Sequence, residues 1–80
     1  MKRVDHRTLK TGDTFYCRIP SELFTVTSPS EHVITEGFSQ WKWKATDEDG
    51  NEQEFLATDG YEEYAPSIYD YPAYVSFRNL

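Results

Sequence analysis

Trp41, Trp43 and Ala45 alternate with Lys42, Lys44 and Thr46. A period of two sends successive side chains to opposite faces of an extended chain, so this stretch predicts a half-buried β-strand. The segment Glu52-Gln53-Glu54-Phe55-Leu56-Ala57-Thr58 reads as the return strand, and Asp49-Gly50 marks the turn between them. A two-residue Asp49-Gly50 loop sets Lys44 against Phe55. A three-residue loop, Glu48-Asp49-Gly50 with Gly50 left-handed, pairs Trp43 with Phe55 and Trp41 with Ala57 on one face. On the other face it pairs Lys44 with Glu54, opposite charges across the ladder. A slip of one residue reverses every side chain, so the apolar match predicts the three-residue loop.

The same reading extends along the chain. Gly12-Asp13 predicts a turn into a first strand, Thr14 to Ile19. Leu23-Phe24-Thr25-Val26-Thr27 predicts a second, with Phe24 and Val26 on one face and Leu23 and Thr25 on the other; Ser28-Pro29-Ser30 is expected to end it. His32 to Thr35 reads as a short strand or an ordered loop. Asp59 and Glu62 have capping-box spacing, and Pro66 limits any helix there to about one turn. A Tyr-rich loop over Pro66 to Pro72 precedes a final strand, Ala73 to Phe77, expected to close against the first. Gly and Pro recur at intervals of 6 to 13 residues, which leaves no room for a substantial helix. The expected fold is therefore mostly β: one domain over residues 1–80, a small antiparallel barrel or bent sheet of five to six short strands with at most one short helical turn. Trp41, Trp43, Phe55, Phe15, Phe24 and Phe77 are the expected core.

Composition narrows what such a domain can do. Leu, Ile, Val and Phe make up sixteen of the 80 residues, close to the limit at which a charged chain stops folding. Thirteen aromatic residues offset that shortage, because each ring buries a large area. A core this thin leaves little for a pocket that sequesters a substrate. The single Cys17 excludes an intramolecular disulfide and suggests a reducing, cytoplasmic setting. Neither a signal-peptide core nor a membrane-length apolar run occurs. The net charge of −6 argues against direct binding to nucleic acid or anionic membranes, which require basic patches.

Catalytic and metal chemistry finds little support. Asp47-Glu48-Asp49-Gly50-Asn51 fails as a calcium loop, because aligning Gly50 at position six puts Ala45 at position one and Leu56 at position twelve. His6, His32 and Cys17 are not at ligand spacing. Cys17, mid-strand between Tyr16 and Arg18, reads as a buried inert thiol. Nucleophile-elbow, phosphate-loop and dinucleotide motifs are missing. The expectation is a non-enzyme without metal or cofactor.

The charge distribution is the informative feature. Residues 1–44 carry seven basic and five acidic side chains, whereas residues 45–77 carry nine acids and no Lys or Arg. Five of the six tyrosines also fall in that acidic segment. Net charge serves solubility, but rigid Tyr rings among carboxylates also suit a recognition surface steered onto a basic partner. Asp47, Asp49, Glu52, Glu62, Glu63 and Asp70 are expected to meet the partner's basic groups, with Tyr61, Tyr64, Tyr69 and Tyr71 supplying contact area. Carboxylates two apart on a strand, such as Glu52 and Glu54, lie about 6.8 Å apart, close to two nucleotide steps, so nucleic-acid mimicry is one form this could take.

In size, acidity and Tyr/acid texture over residues 45–77, the chain resembles the short proteins with which phages block host restriction or CRISPR machinery. That resemblance implies a stoichiometric inhibitor that occludes a nucleic-acid-processing or defence protein. A different class of reading is a barrel module within a larger assembly, taking a ligand on the Trp41/Trp43 strand. Ile68-Tyr69-Asp70-Tyr71 is similar to the Ala-Leu-Tyr-Asp-Tyr stretch of Src-homology peptide-binding barrels, but there it opens the domain, and here only nine residues follow Tyr71. A third reading is a small regulatory subunit, or homodimer, that completes its thin core by association.

Overall fold

The computed structural model describes residues 3–17, 22–61 and 65–70. They form one five-stranded antiparallel sheet: β1 (Thr14–Cys17), β2 (Glu22–Thr35), β3 (Phe38–Thr46), β4 (Glu52–Thr58) and β5 (Ile68–Tyr69). The spatial order is β4-β3-β2-β1-β5. The sheet is bent and does not close into a barrel among these residues.

The β3–β4 hairpin has the register that the apolar match demands. Trp43 faces Phe55, Trp41 faces Ala57 and Lys44 faces Glu54. Glu48, Asp49 and Gly50 form the loop, closed by hydrogen bonds from Asp47 N to Asn51 O (3.0 Å) and from Gly50 N to Asp47 O (3.1 Å). Gly50 takes φ 86°, a conformation that a Cβ would oppose.

The second strand departs from expectation. Ser28-Pro29-Ser30 does not end β2, which runs on through His32 to Thr35. Two register shifts, between Val26 and Ser28 and between Ser28 and Glu31, absorb the proline. A bulge tolerates a residue without an N–H, because the ladder is already interrupted there. It also turns the Ser30 N–H away from β3 to the Leu9 carbonyl (3.1 Å). The N-terminal arm is thereby tied to the sheet, and Leu9 is buried in the core. A two-residue Glu36-Gly37 turn, both residues at positive φ, then reverses the chain into β3.

Three other expectations change. Ile68-Tyr69 is a strand paired with Tyr16 and Cys17 of β1, not part of a loop. The helical turn described lies at His6–Thr8, a 3₁₀ turn capped by the Asp5 side chain, which accepts from the Arg7 N–H. Asp59 serves no helix: it is followed by a left-handed Gly60, and its carboxylate turns back onto β3. The predicted capping partner Glu62 and the predicted final strand at 73–77 lie outside the described residues, as do Arg18 and Ile19 at the predicted end of β1.

The core is a chain of rings. Phe15 and Phe24 pair across β1 and β2 at 5.5 Å, and Phe55 meets both edge-on at 5.4 and 5.2 Å. Trp43 stacks on Phe55, and His6 covers the far face of the hairpin's indole at 5.5 Å. Such pairs each add about 0.5–1.5 kcal/mol beyond area burial, which is how a chain poor in aliphatics holds a core. Cys17 is buried, as expected. Trp41 is only half-buried, because it lies toward the far end of the hairpin from Phe15 and Phe24; Phe77 lies outside the described residues.

Candidate functional site

Alternation on β3 and β4 leaves an outer face away from the core. It carries Phe38, Gln40, Lys42, Lys44 and Thr46 from β3 and Glu52, Glu54, Leu56 and Thr58 from β4. Its two ends differ in chemistry.

At the loop end the acids gather. Asp47 is committed to the turn: Oδ1 accepts the Asp49 and Asn51 N–H groups, both at 2.9 Å, and Oδ2 accepts from Asn51 Nδ2 at 3.3 Å. The Asn51 N–H, followed by the other turn donors, holds the Asp47 carboxyl below its ordinary value of 3.8. Asp47 is thus a fixed negative charge whose bonding capacity is largely used within the loop. Glu48 and Asp49 are exposed, while Glu52 accepts from Thr27 Oγ1 at 3.0 Å.

At the opposite end the face is apolar. Phe38, Leu56 and Tyr61 are 46%, 44% and 46% exposed. With Gln40 and Thr58 they line an open hollow of about 430 Å³. Phe38 and Tyr61 lie against each other at 6.2 Å. Large exposed apolar side chains placed together, rather than scattered, mark an interaction surface.

The reverse side of this end holds a polar cluster. Ser39 Oγ donates to Asp59 Oδ2 at 2.7 Å and lies 2.5 Å from His32 Nε2. Trp41 Nε1 also donates to Asp59 Oδ2, at 3.3 Å, and its ring stacks on His32 at 4.6 Å. The Ser39 hydroxyl, then the Trp41 N–H, keeps Asp59 ionised below 3.8. A serine nucleophile hands its proton to histidine, with the carboxylate behind the imidazole. Here the serine stands between the two and points its proton at Asp59. The set clasps the end of β4 to β3, reinforced by the Asp59 N–H bond to Ser39 O at 2.9 Å.

Among the described residues, the expected acids Asp47, Asp49 and Glu52 and the expected Tyr61 do not share one spot. Asp47, Asp49 and Glu52 sit at the loop end of the hairpin, and Tyr61 follows β4 at its other end. A seven-residue strand separates them by roughly 20 Å. Tyr69 is half-buried on β5, the last strand in the order from β4, with Asp70 exposed beside it. Glu62, Glu63, Tyr64 and Tyr71 lie outside the described residues. Leu56 and Phe38, exposed on the outer face, were not among the expected contact residues. The signal for Leu56 was available: the hairpin register sets it opposite Lys42, on the charged face.

No group of three or more His, Cys, Asp or Glu that could hold a metal occurs among the described residues. No helix among them is long and apolar enough to cross a membrane. No protein-family model, curated protein or solved structure matches the chain.

Proposed function

We propose that this chain is a non-enzymatic binding protein that occludes a basic surface of a nucleic-acid-processing or defence protein, in the manner of the small acidic phage inhibitors it resembles. The observation that carries the reading is the make-up of the β3–β4 outer face: exposed carboxylates at one end and the Phe38, Leu56 and Tyr61 patch at the other. Acids steer encounter with a basic partner, and desolvated rings supply most of the binding energy once docked.

This geometry favours an apolar anchor with an acidic tip over a continuous imitation of a phosphate row. After Glu52 and Glu54, the next outward position on β4 is Leu56, and Lys44 and Lys42 lie opposite Glu54 and Leu56. The barrel-module alternative places the ligand on Trp41 and Trp43, yet Trp43 is 1% exposed and the Trp41 N–H is held by Asp59.

The test compares proteins captured from a host lysate by the wild-type chain and by Asp49→Lys/Glu52→Lys and Leu56→Ala/Tyr61→Ala variants. Expected is a protein retained by the wild type, lost from both variants and from the wild type at high salt, and displaced by added duplex DNA. A captured protein indifferent to salt, to DNA and to both variants overturns the reading.

A further inference from the structure

β4 ends the sheet. It pairs with β3 on one side, and no strand among the described residues pairs with its other side. Beside that edge lies an open hollow of about 470 Å³, walled by Gln53, Glu54, Phe55 and Leu56 of β4 and by Cys17, Pro66 and Ser67 opposite. A seven-residue edge strand presents a row of backbone donors and acceptors, and proteins usually blunt such an edge with Lys, Pro or a bulge. β4 has no Lys, Pro or bulge, its pairing with β3 being regular from Glu52 to Thr58; the charges it does carry, Glu52 and Glu54, repel acidic strands and admit basic ones. Leu56 lines both this hollow and the apolar hollow of the outer face, so the two are adjacent.

We infer that the β4 edge takes an extended segment of the partner as an added antiparallel strand, read as apolar-x-basic-x-basic. This rests on the proposed function and names the partner's chemistry. In an antiparallel strand the residue opposite Leu56 comes first, and those opposite Glu54 and Glu52 follow at steps of two. The first lies beside the Phe38, Leu56 and Tyr61 patch and gains from being aliphatic. The second and third stand across from exposed carboxylates and gain from being Lys or Arg. Backbone bonds to the edge supply affinity, and alternate side chains supply selectivity. A second copy of the chain is the poorer occupant: at a net charge of −6 it carries Glu52 and Glu54 to the same edge.

The probe is a blocked synthetic peptide, Thr-Leu-Val-Lys-Val-Arg-Thr, titrated onto the intact chain by NMR. Expected are shifts centred on β4 and slowed exchange of its edge amides. Alternate amides of an added strand point the same way, so N-methylating one alternate set weakens binding at least about tenfold while the other set changes it little. Glu54→Gln weakens binding about two- to fivefold, as the loss of one cross-strand charge pair, and is tolerated by the fold because residue 54 is exposed and no like charge is set against Lys44. Equal effects of the two methylated sets, with the charge dependence kept, overturn strand addition but leave the basic-partner reading standing. No binding, or binding without charge dependence, sinks the inference. So does edge-amide protection in the peptide-free monomer, which means another part of the same chain covers β4. Sedimentation showing a dimer that the peptide dissociates assigns the edge to a second copy instead.

Discussion

Trp43 and Phe55 face each other across β3 and β4 with ring centroids 5.5 Å apart and planes 6° from parallel. Phe55 is also the ring that meets both Phe15 and Phe24, so it joins the hairpin to the β1–β2 half of the sheet. Phe55→Ala should remove that junction and lower stability by about 3–5 kcal/mol, a large share of the total for so small a domain. Urea unfolding followed by Trp43 fluorescence measures it. A loss below 1 kcal/mol would show that the ring cluster is not the core.

Glu36 is the one non-glycine residue at positive φ among the described residues, at 51° in the Glu36-Gly37 turn. A left-handed conformation costs an ordinary L-residue about 1–2 kcal/mol and costs glycine or asparagine less. Glu36→Asn should stabilise the chain by about 0.5–1 kcal/mol, raising Tm by roughly 3–6 °C in a domain of this size. An unchanged or lower Tm counts against the turn as described.

His6 stacks on Trp43 with its Nε2 buried and unpaired. Burial pulls its pKa below the ordinary 6.5; Asp5 pushes it back up, Arg7 lowers it, and Asp59 and Arg3 act more weakly in opposite senses. The unfolded chain therefore takes up a proton at 6.5 that the folded chain takes up only at lower pH. Stability is full above pH 6.5 and declines as pH falls through the window below it. Melting curves from pH 7.5 to 5 should show this decline in the wild type and a smaller one in His6→Phe. Equal slopes would exclude His6 as the source.

Asp59 joins Ser39 and Trp41, so Asp59→Ala should free the Trp41 indole toward solvent while Trp43 stays buried. Emission should shift to the red and iodide should quench about one of the two tryptophans. Ser39→Ala, which leaves the Trp41 bond in place, should shift emission less. Identical spectra for Asp59→Ala and the wild type would rule out the clasp.

Below pH 4 a second decline is expected. Asp5, held by the Arg7 guanidinium and N–H, and Asp47 and Asp59, held by turn and hydroxyl donors, all sit below 3.8. A lowered carboxylate contributes stability that is present above 3.8 and is lost as pH falls through its folded value. Melting curves followed by circular dichroism from neutral to acid pH should show a smaller decline in Asp47→Asn, which lacks the carboxylate and starts from a lower stability; an equal decline would exclude Asp47 as a source.

Much of the hairpin was written in local order. The alternation of Trp41 to Thr46, and the chance to pair Lys44 with Glu54, determined faces, loop length and register before any tertiary contact was considered. The outward placement of Leu56 followed from the same register. Charge segregation was equally legible, since it requires only counting along the chain. What lay beyond the sequence was decided by long-range geometry. Pro29 reads locally as a strand end, but β3 offered a continuous partner, and two register shifts cost less than leaving His32 to Thr35 unpaired. Ile68-Tyr69 became a strand because the β1 edge was there to receive it. Asp47, Asp49 and Glu52 were parted from Tyr61, close to them in sequence, because a strand carries its two ends about 20 Å apart. The chain alone settled which residues are charged, apolar or aromatic and which face of a strand they share; only the folded sheet settled which of them meet, because bulges, edges and strand order depend on backbone partners far away in sequence.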